Sequence, residues 1–129
     1  MTFPARASFH WNGHTVNVIH VDPAHTDGDS IVHFTNANVI HTGDTFVKDQ
    51  YPFIDRSSGG TLDGIIEASE AVIARSDAST KIIPGHGDLA NRSDIQRYHD
   101  MLVKTAEGWR FKKRDYQPFP MPVAEAAAR

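Results

Sequence analysis

Three short segments each carry a side chain able to bind a metal ion: Ala24-His25-Thr26-Asp27-Gly28-Asp29, His41-Thr42-Gly43-Asp44 and Pro84-Gly85-His86-Gly87. Each lies where a strand-like apolar run meets a turn containing glycine. That arrangement lifts an imidazole or a carboxylate to a sheet edge and leaves room around it. Nineteen residues separate His25 from Asp44 and 42 separate Asp44 from His86, so three strand ends can gather at one end of one sheet. Two imidazoles and a carboxylate are the smallest set that holds zinc and leaves a position open for water or substrate; iron or manganese suits the same donors less well. Cysteine is absent, which excludes disulfides and thiolate ligands and leaves His, Asp and Glu as the donors.

A lone histidine at a strand end is more often a hydrogen-bonded structural residue than a ligand, and this chain has eight histidines. His10 and His14 fall on opposite faces of a hairpin and cannot chelate together. His20 and His33 read as edge or core residues of strands, and His99 sits on a helix beside Tyr98. His41 precedes Thr42-Gly43-Asp44 and is expected to orient Asp44 rather than bind metal. Asp29 is a candidate for fixing an imidazole tautomer, whereas Asp27 reads as turn chemistry, a carboxylate capping its own backbone. Tyr51 and Phe53 either line a substrate mouth or pack their loop onto the sheet.

The elements that must position these residues are readable from pattern. Asn12-Gly13 is a favoured two-residue hairpin turn, which pairs Trp11 with His14, His10 with Thr15 and Phe9 with Val16. Phe9, Trp11, His14, Val16 and Val18 then share one face, expected to be the buried one, and the strand is expected to run to Val21. Strands at Ser30 to Phe34 and Val39 to Thr42 are apolar enough to lie inside a sheet. Gln50 to Gly60 reads as a loop without regular structure. Thr61 caps a helix with Leu62, Ile65, Ile66, Val72 and Ile73 on one stripe. Lys81-Ile82-Ile83 is a short buried strand. Ser93 and Gln96 form a capping pair for a second helix that turns Ile95, Tyr98, Leu102 and Val103 inward. The basic run Arg110, Lys112, Lys113 and Arg114 reads as a solvated helix end.

A chain of 129 residues, 40% hydrophobic, is long enough for one domain with a core. A formal net charge of -3 predicts no general attraction to nucleic acid or an anionic membrane. No apolar run approaches membrane-spanning length, and Met1 to Trp11 lacks the apolar stretch of a signal peptide, so a soluble protein of undecided compartment is expected. Residues 1–116 form the expected domain, and the Pro- and Ala-rich tail 117–129 is expected to be extended or frayed.

With Tyr51-Pro52-Phe53-Ile54-Asp55 following Asp44, the three ordered motifs resemble the metallo-β-lactamase superfamily of metal-dependent hydrolases, from about Trp11 to Leu102. The resemblance implies that His25 binds a first metal, His86 a second, and that Asp44 bridges them as the catalytic carboxylate. An Asp at that position looks more like the thioesterase, lactonase and nuclease branches than like dedicated β-lactamases. The resemblance covers the C-terminal half only. The family's His-x-His-x-Asp-His motif, with the Asp that manages the proton of the attacking water, is absent from this chain. In an intact site paired zinc ions lower the pKa of water for attack on an ester, thioester, lactone, amide or phosphodiester. The implied fold is an α/β (α+β) half of an αββα sandwich: one mixed or antiparallel sheet, two flanking helices and one bare sheet face. Two functional expectations follow. One is a truncated hydrolase of a small-molecule substrate, completed by a chain carrying the missing N-terminal half; the other is a non-catalytic metal-binding or structural unit. A bare apolar face also predicts a homodimer, sheet against sheet.

Overall fold

The computed structural model describes residues 5–105 and 108–111. Strands β1 (Arg6–Trp11), β2 (His14–His20), β3 (Ser30–Phe34), β4 (Val39–Val47) and β5 (Lys81–His86) form one sheet in that order. The first four pair antiparallel, and β5 pairs parallel with β4. Helix α1 (Leu62–Arg75) makes the crossover that a parallel pair requires, and α2 (Arg92–Asp100) follows β5. A separate hairpin pairs β6 (Leu102–Thr105) with β7 (Gly108–Phe111).

The Asn12-Gly13 turn takes positive φ at both residues, 49° and 76°, and sets the expected register Trp11↔His14, His10↔Thr15 and Phe9↔Val16. Register then assigns the faces. Ile19, Ile31, Ile40 and Ile82 lie on one side, where they join Ile65, Ile66 and Val72 of α1 and Ile95 and Tyr98 of α2 in a single core. A fully buried aliphatic side chain contributes about 1.5–3 kcal/mol, so this face carries the stability of the fold. The edge of the Tyr98 ring meets Phe46 at a centroid distance of 4.9 Å, and burial pushes its phenol far above the usual range.

The face expected to be buried is the open one. Phe9 is 57% exposed and Trp11 76% exposed, with Phe34 and Ile83 also in solvent. Both helices pack on the Ile19–Ile31–Ile40 side, and nothing among the described residues covers the other. On the covered side of the hairpin Asn17 is buried, its Oδ1 accepting from Arg6 and Ser8.

Several boundaries differ from the sequence reading. β2 ends at His20 rather than Val21. The loop after β4 contains a 3-10 turn, Arg56–Ser58, capped by Asp55, whose side chain accepts from the Ser57 and Ser58 amides and hydroxyls. These donors hold the Asp55 carboxyl down at about 2. Thr61 caps α1 as expected, accepting from Gly64 N–H. The capping pair of α2 is not Ser93 and Gln96 but Asn91 and Asp94: Asn91 accepts from the Ser93 and Asp94 amides while Asp94 accepts from Asn91 N–H. The helix stops at Asp100, so Leu102 and Val103 belong to β6; Leu102 is nevertheless buried. Arg110 lies in β7 rather than at a helix end, and the remaining basic run and the tail 117–129 lie outside the described residues. No helix among the described residues is long and apolar enough to cross a membrane.

Candidate metal centre

Asp44 is not in a turn that ends its strand, as its sequence implies, but inside β4, where pairing with β5 slips between His41 and Gly43 and again between Gly43 and Val47. Such bulges re-aim side chains at sheet ends. The backbone groups displaced by the slip are satisfied locally. Gly43 N–H donates to His41 Nδ1 at 3.0 Å, and Thr42 Oγ1 donates to Gly43 O at 3.0 Å or Ile83 O at 3.2 Å. Thr45 Oγ1 donates to Thr42 O at 2.9 Å. His41 therefore holds the segment before Asp44 through the backbone. Opposite it, Gly85 leaves space for the carboxylate: a Cβ at that position would lie 2.1 Å from Asp44 Oδ1.

His25 is held from two sides. Asp29 Oδ2 accepts from the main-chain N–H of His25 at 2.6 Å and of Thr26 at 2.9 Å. Asp55 N–H donates to His25 O at 2.9 Å, and Asp27 N–H donates to Ser58 O at 2.9 Å, which fastens the loop after β4 to the His25 turn. The His25 ring is fixed by the Phe53 carbonyl, 2.9 Å from Nδ1, with the Phe53 ring centroid 5.7 Å from its own. Asp29 thus grips the main chain of His25, and the tautomer is set by a carbonyl that no sequence motif marks. The Phe53 side chain itself is 69% exposed.

The structure brings His25, Asp44 and His86 together at the end of the sheet. His25 Nε2 lies 3.6 Å from Asp44 Oδ2, and His86 Nε2 lies 3.3 Å from Asp44 Oδ1. A carbonyl only accepts, so Nδ1 of His25 carries the proton and neutral His25 turns a bare Nε2 lone pair toward a carboxylate oxygen. Two acceptors face one another there, and a cation between them, a proton or a metal ion, resolves the conflict. The 3.3 Å separation at His86 equals, and the 3.6 Å separation at His25 exceeds, the distance of about 3.3 Å between two donors of a tetrahedral zinc ion with ligands at about 2.0–2.1 Å. Yet among the described residues no three His, Asp or Glu side chains form a group able to hold an ion by themselves. Asp44 gives one oxygen to each imidazole, so the chain presents two two-donor arms that share a carboxylate. The donor chemistry fits a divalent ion, and the shell is incomplete. His10 and His14 are apart from this cluster, on opposite sides of the hairpin as expected.

A five-stranded mixed sheet with two helices on one face, and candidate ligands at its end, defines part of a metallo-β-lactamase fold. Solved structures with this architecture include the metallo-β-lactamase from Pontibacter korlensis (17% identity, TM-score 0.65), where the match covers 77% of this chain and 46% of that one. They also include TMB-1 (13%, TM-score 0.61), covering 77% and 44%, and the DIM-1 metallo-β-lactamase (13%, TM-score 0.61), covering 75% and 44%. The chain thus spans less than half the length of the structures it matches, and at these identities the likeness is one of fold. No protein-family model matches the chain, and no curated protein matches it in sequence.

Proposed function

We propose that this chain supplies the carboxylate-centred half of a metal-dependent hydrolytic site, completed by the rest of the fold, on this polypeptide or another, packed over the open sheet face. The observation that carries this reading is Asp44 standing between the Nε2 atoms of His25 and His86, at 3.6 and 3.3 Å. The length argues for the occupant: a match to 46% of the metallo-β-lactamase from Pontibacter korlensis leaves more than half of such a fold to lie elsewhere. A bound zinc ion would polarise the scissile carbonyl or phosphoryl oxygen and lower the pKa of water. His25 and His86 would each hold metal through Nε2, one in each arm. The Phe53 carbonyl keeps the His25 proton on Nδ1, and the Asp44 carboxylate offsets the positive charge and fixes the spacing of the two arms. The substrate class is a small ester, thioester, lactone, amide or phosphodiester.

A second reading, a metal-binding or structural unit without catalysis, draws support from the two-donor arms, which do not make a closed shell. Metal analysis by mass spectrometry of protein purified without added zinc, beside an ester and thioester assay, separates the two. Stoichiometric zinc and hydrolysis, both lost in Asp44→Ala, support the hydrolase; a folded, metal-free and inert dimer supports the alternative.

A further inference from the structure

The two imidazoles beside Asp44 differ in how they are held. The side chain of His25 is 21% exposed and that of His86 is 69% exposed. His86 ends β5 between Gly85 and Gly87, in a stretch with little side-chain bulk of its own. We propose that Lys48, the residue immediately after β4, is the positioning residue that keeps His86 in place; this rests on the metal-site reading above.

Lys48 engages the His86 turn at both ends. Its main-chain N–H donates to His86 O at 3.0 Å, and its ammonium donates to Leu89 O at 3.0 Å, three residues further on. Between these points the chain lies directly on the lysine. Gly87 has φ of +97°, and a Cβ there would lie 3.0 Å from Lys48 Cβ and 3.2 Å from Lys48 O. The left-handed backbone favours glycine, and the close approach leaves little room for a side chain. The ammonium also stands 3.6 Å from Asp94 Oδ2, and Asp94 is anchored in turn by Asn91 N–H and Arg97. One lysine therefore ties the end of β4, the turn carrying His86 and the first turn of α2 into a single unit. With its charge committed to Asp94 and Leu89 O, Lys48 acts through His86 rather than on substrate. Groups that orient metal-binding side chains commonly carry 10–100-fold of the affinity.

The test is a zinc titration of the full chain followed by the imidazole ¹⁵N resonances of His25 and His86, which report each arm separately. In wild type both Nε2 signals shift with zinc. Lys48→Met keeps the aliphatic stem and removes the donor; the His86 midpoint is expected to rise about 10–100-fold while the His25 midpoint moves less. Lys48→Arg, which retains charge and donors, is expected to recover most of the His86 affinity and serves as the folded comparator. An unchanged His86 midpoint in Lys48→Met, with a native amide spectrum, overturns the role of Lys48 and leaves the metal site standing. Equal weakening of both arms in Lys48→Met also overturns it, since that marks a general loss of structure. Zinc that shifts neither histidine in wild type overturns the metal reading and this proposal together.

Discussion

The two faces of the sheet are built from similar residues and have opposite fates. One carries Ile19, Ile31, Ile40 and Ile82 and is closed by two helices. The other carries Phe9, Trp11, Val16, Val18, Val32, Phe34 and Ile83 and meets solvent. Apolar composition alone does not decide which side becomes the core. The helices decide it, because α1 must cross from β4 to β5 on one side and brings its Ile65–Ile66–Val72 stripe there. A face this apolar left in water favours association, at about 25 cal/mol for each Å² covered.

Covering the open face is expected to have its largest effect on catalysis. Hydrolysis by this chain alone should lie about 10²–10⁴-fold below that of the same chain joined to the rest of the fold, the range that loss of a general base commonly costs. Assays with generic esters, a thioester and a chromogenic β-lactam, zinc added, measure it; equal rates with and without the added half would remove the link between open face and function.

On the covered face, Ile40→Ala should destabilise the chain by about 2–5 kcal/mol, since Ile40 is fully buried and leaves a cavity. Urea unfolding reads this directly, and a loss below about 1 kcal/mol would mean the two faces are energetically alike.

On the open face, Trp11→Ser with Phe9→Ser should change the stability of the dissociated chain by no more than about 0.5 kcal/mol, as expected for surface positions. Sedimentation at micromolar concentration should show wild type self-associating and the double variant monomeric. A wild-type monomer there would deny the open face any drive to pair with a second copy.

The smallest effect concerns His33, which shares the covered side with Ile31. Burial first, then the charges of Arg75 and Arg6, lower its pKa. Below the ordinary histidine value of about 6.5, the unfolded chain takes up a proton that the folded chain resists, so stability falls as the pH drops through that window. Urea midpoints at about pH 7.5 and about pH 5.5 should differ less in His33→Gln than in wild type. An identical pH slope would show that the covered side imposes no such cost.

Local chemistry was the legible part of the sequence. Asn12-Gly13 dictated a register that holds residue for residue, and the 3.6-residue period of Leu62 to Ile73 marked α1. What depended on packing between elements was not legible. Phe9 and Trp11 read as core because alternation cannot say which side helices will cover. Leu102 read as helical because its spacing from Tyr98 fits a helix, and its burial is real although its backbone is extended. At the site, His25, Asp44 and His86 stood out only in combination, as imidazole and carboxylate side chains in three ordered segments that each contain a glycine, since any one of them alone has an ordinary structural reading. The Phe53 carbonyl that fixes His25 has no residue-type signature at all, and Lys48 reads as one more solvated charge until its partners are seen.

The parallel pairing of β4 with β5 also sets an order of events. The strands before Asp44 return through short antiparallel connections, whereas His86 reaches Val47 only after the whole α1 crossover has closed. Contacts of long sequence separation carry the larger loop-closure cost and slow the search for the native state. During folding, the His25 arm is therefore the one expected to form first, and the His86 arm the last part of the site to arrive. An ion present in the medium would meet a single arm early and a shared carboxylate with two arms only at the end. Zinc should accordingly slow unfolding more than it speeds folding.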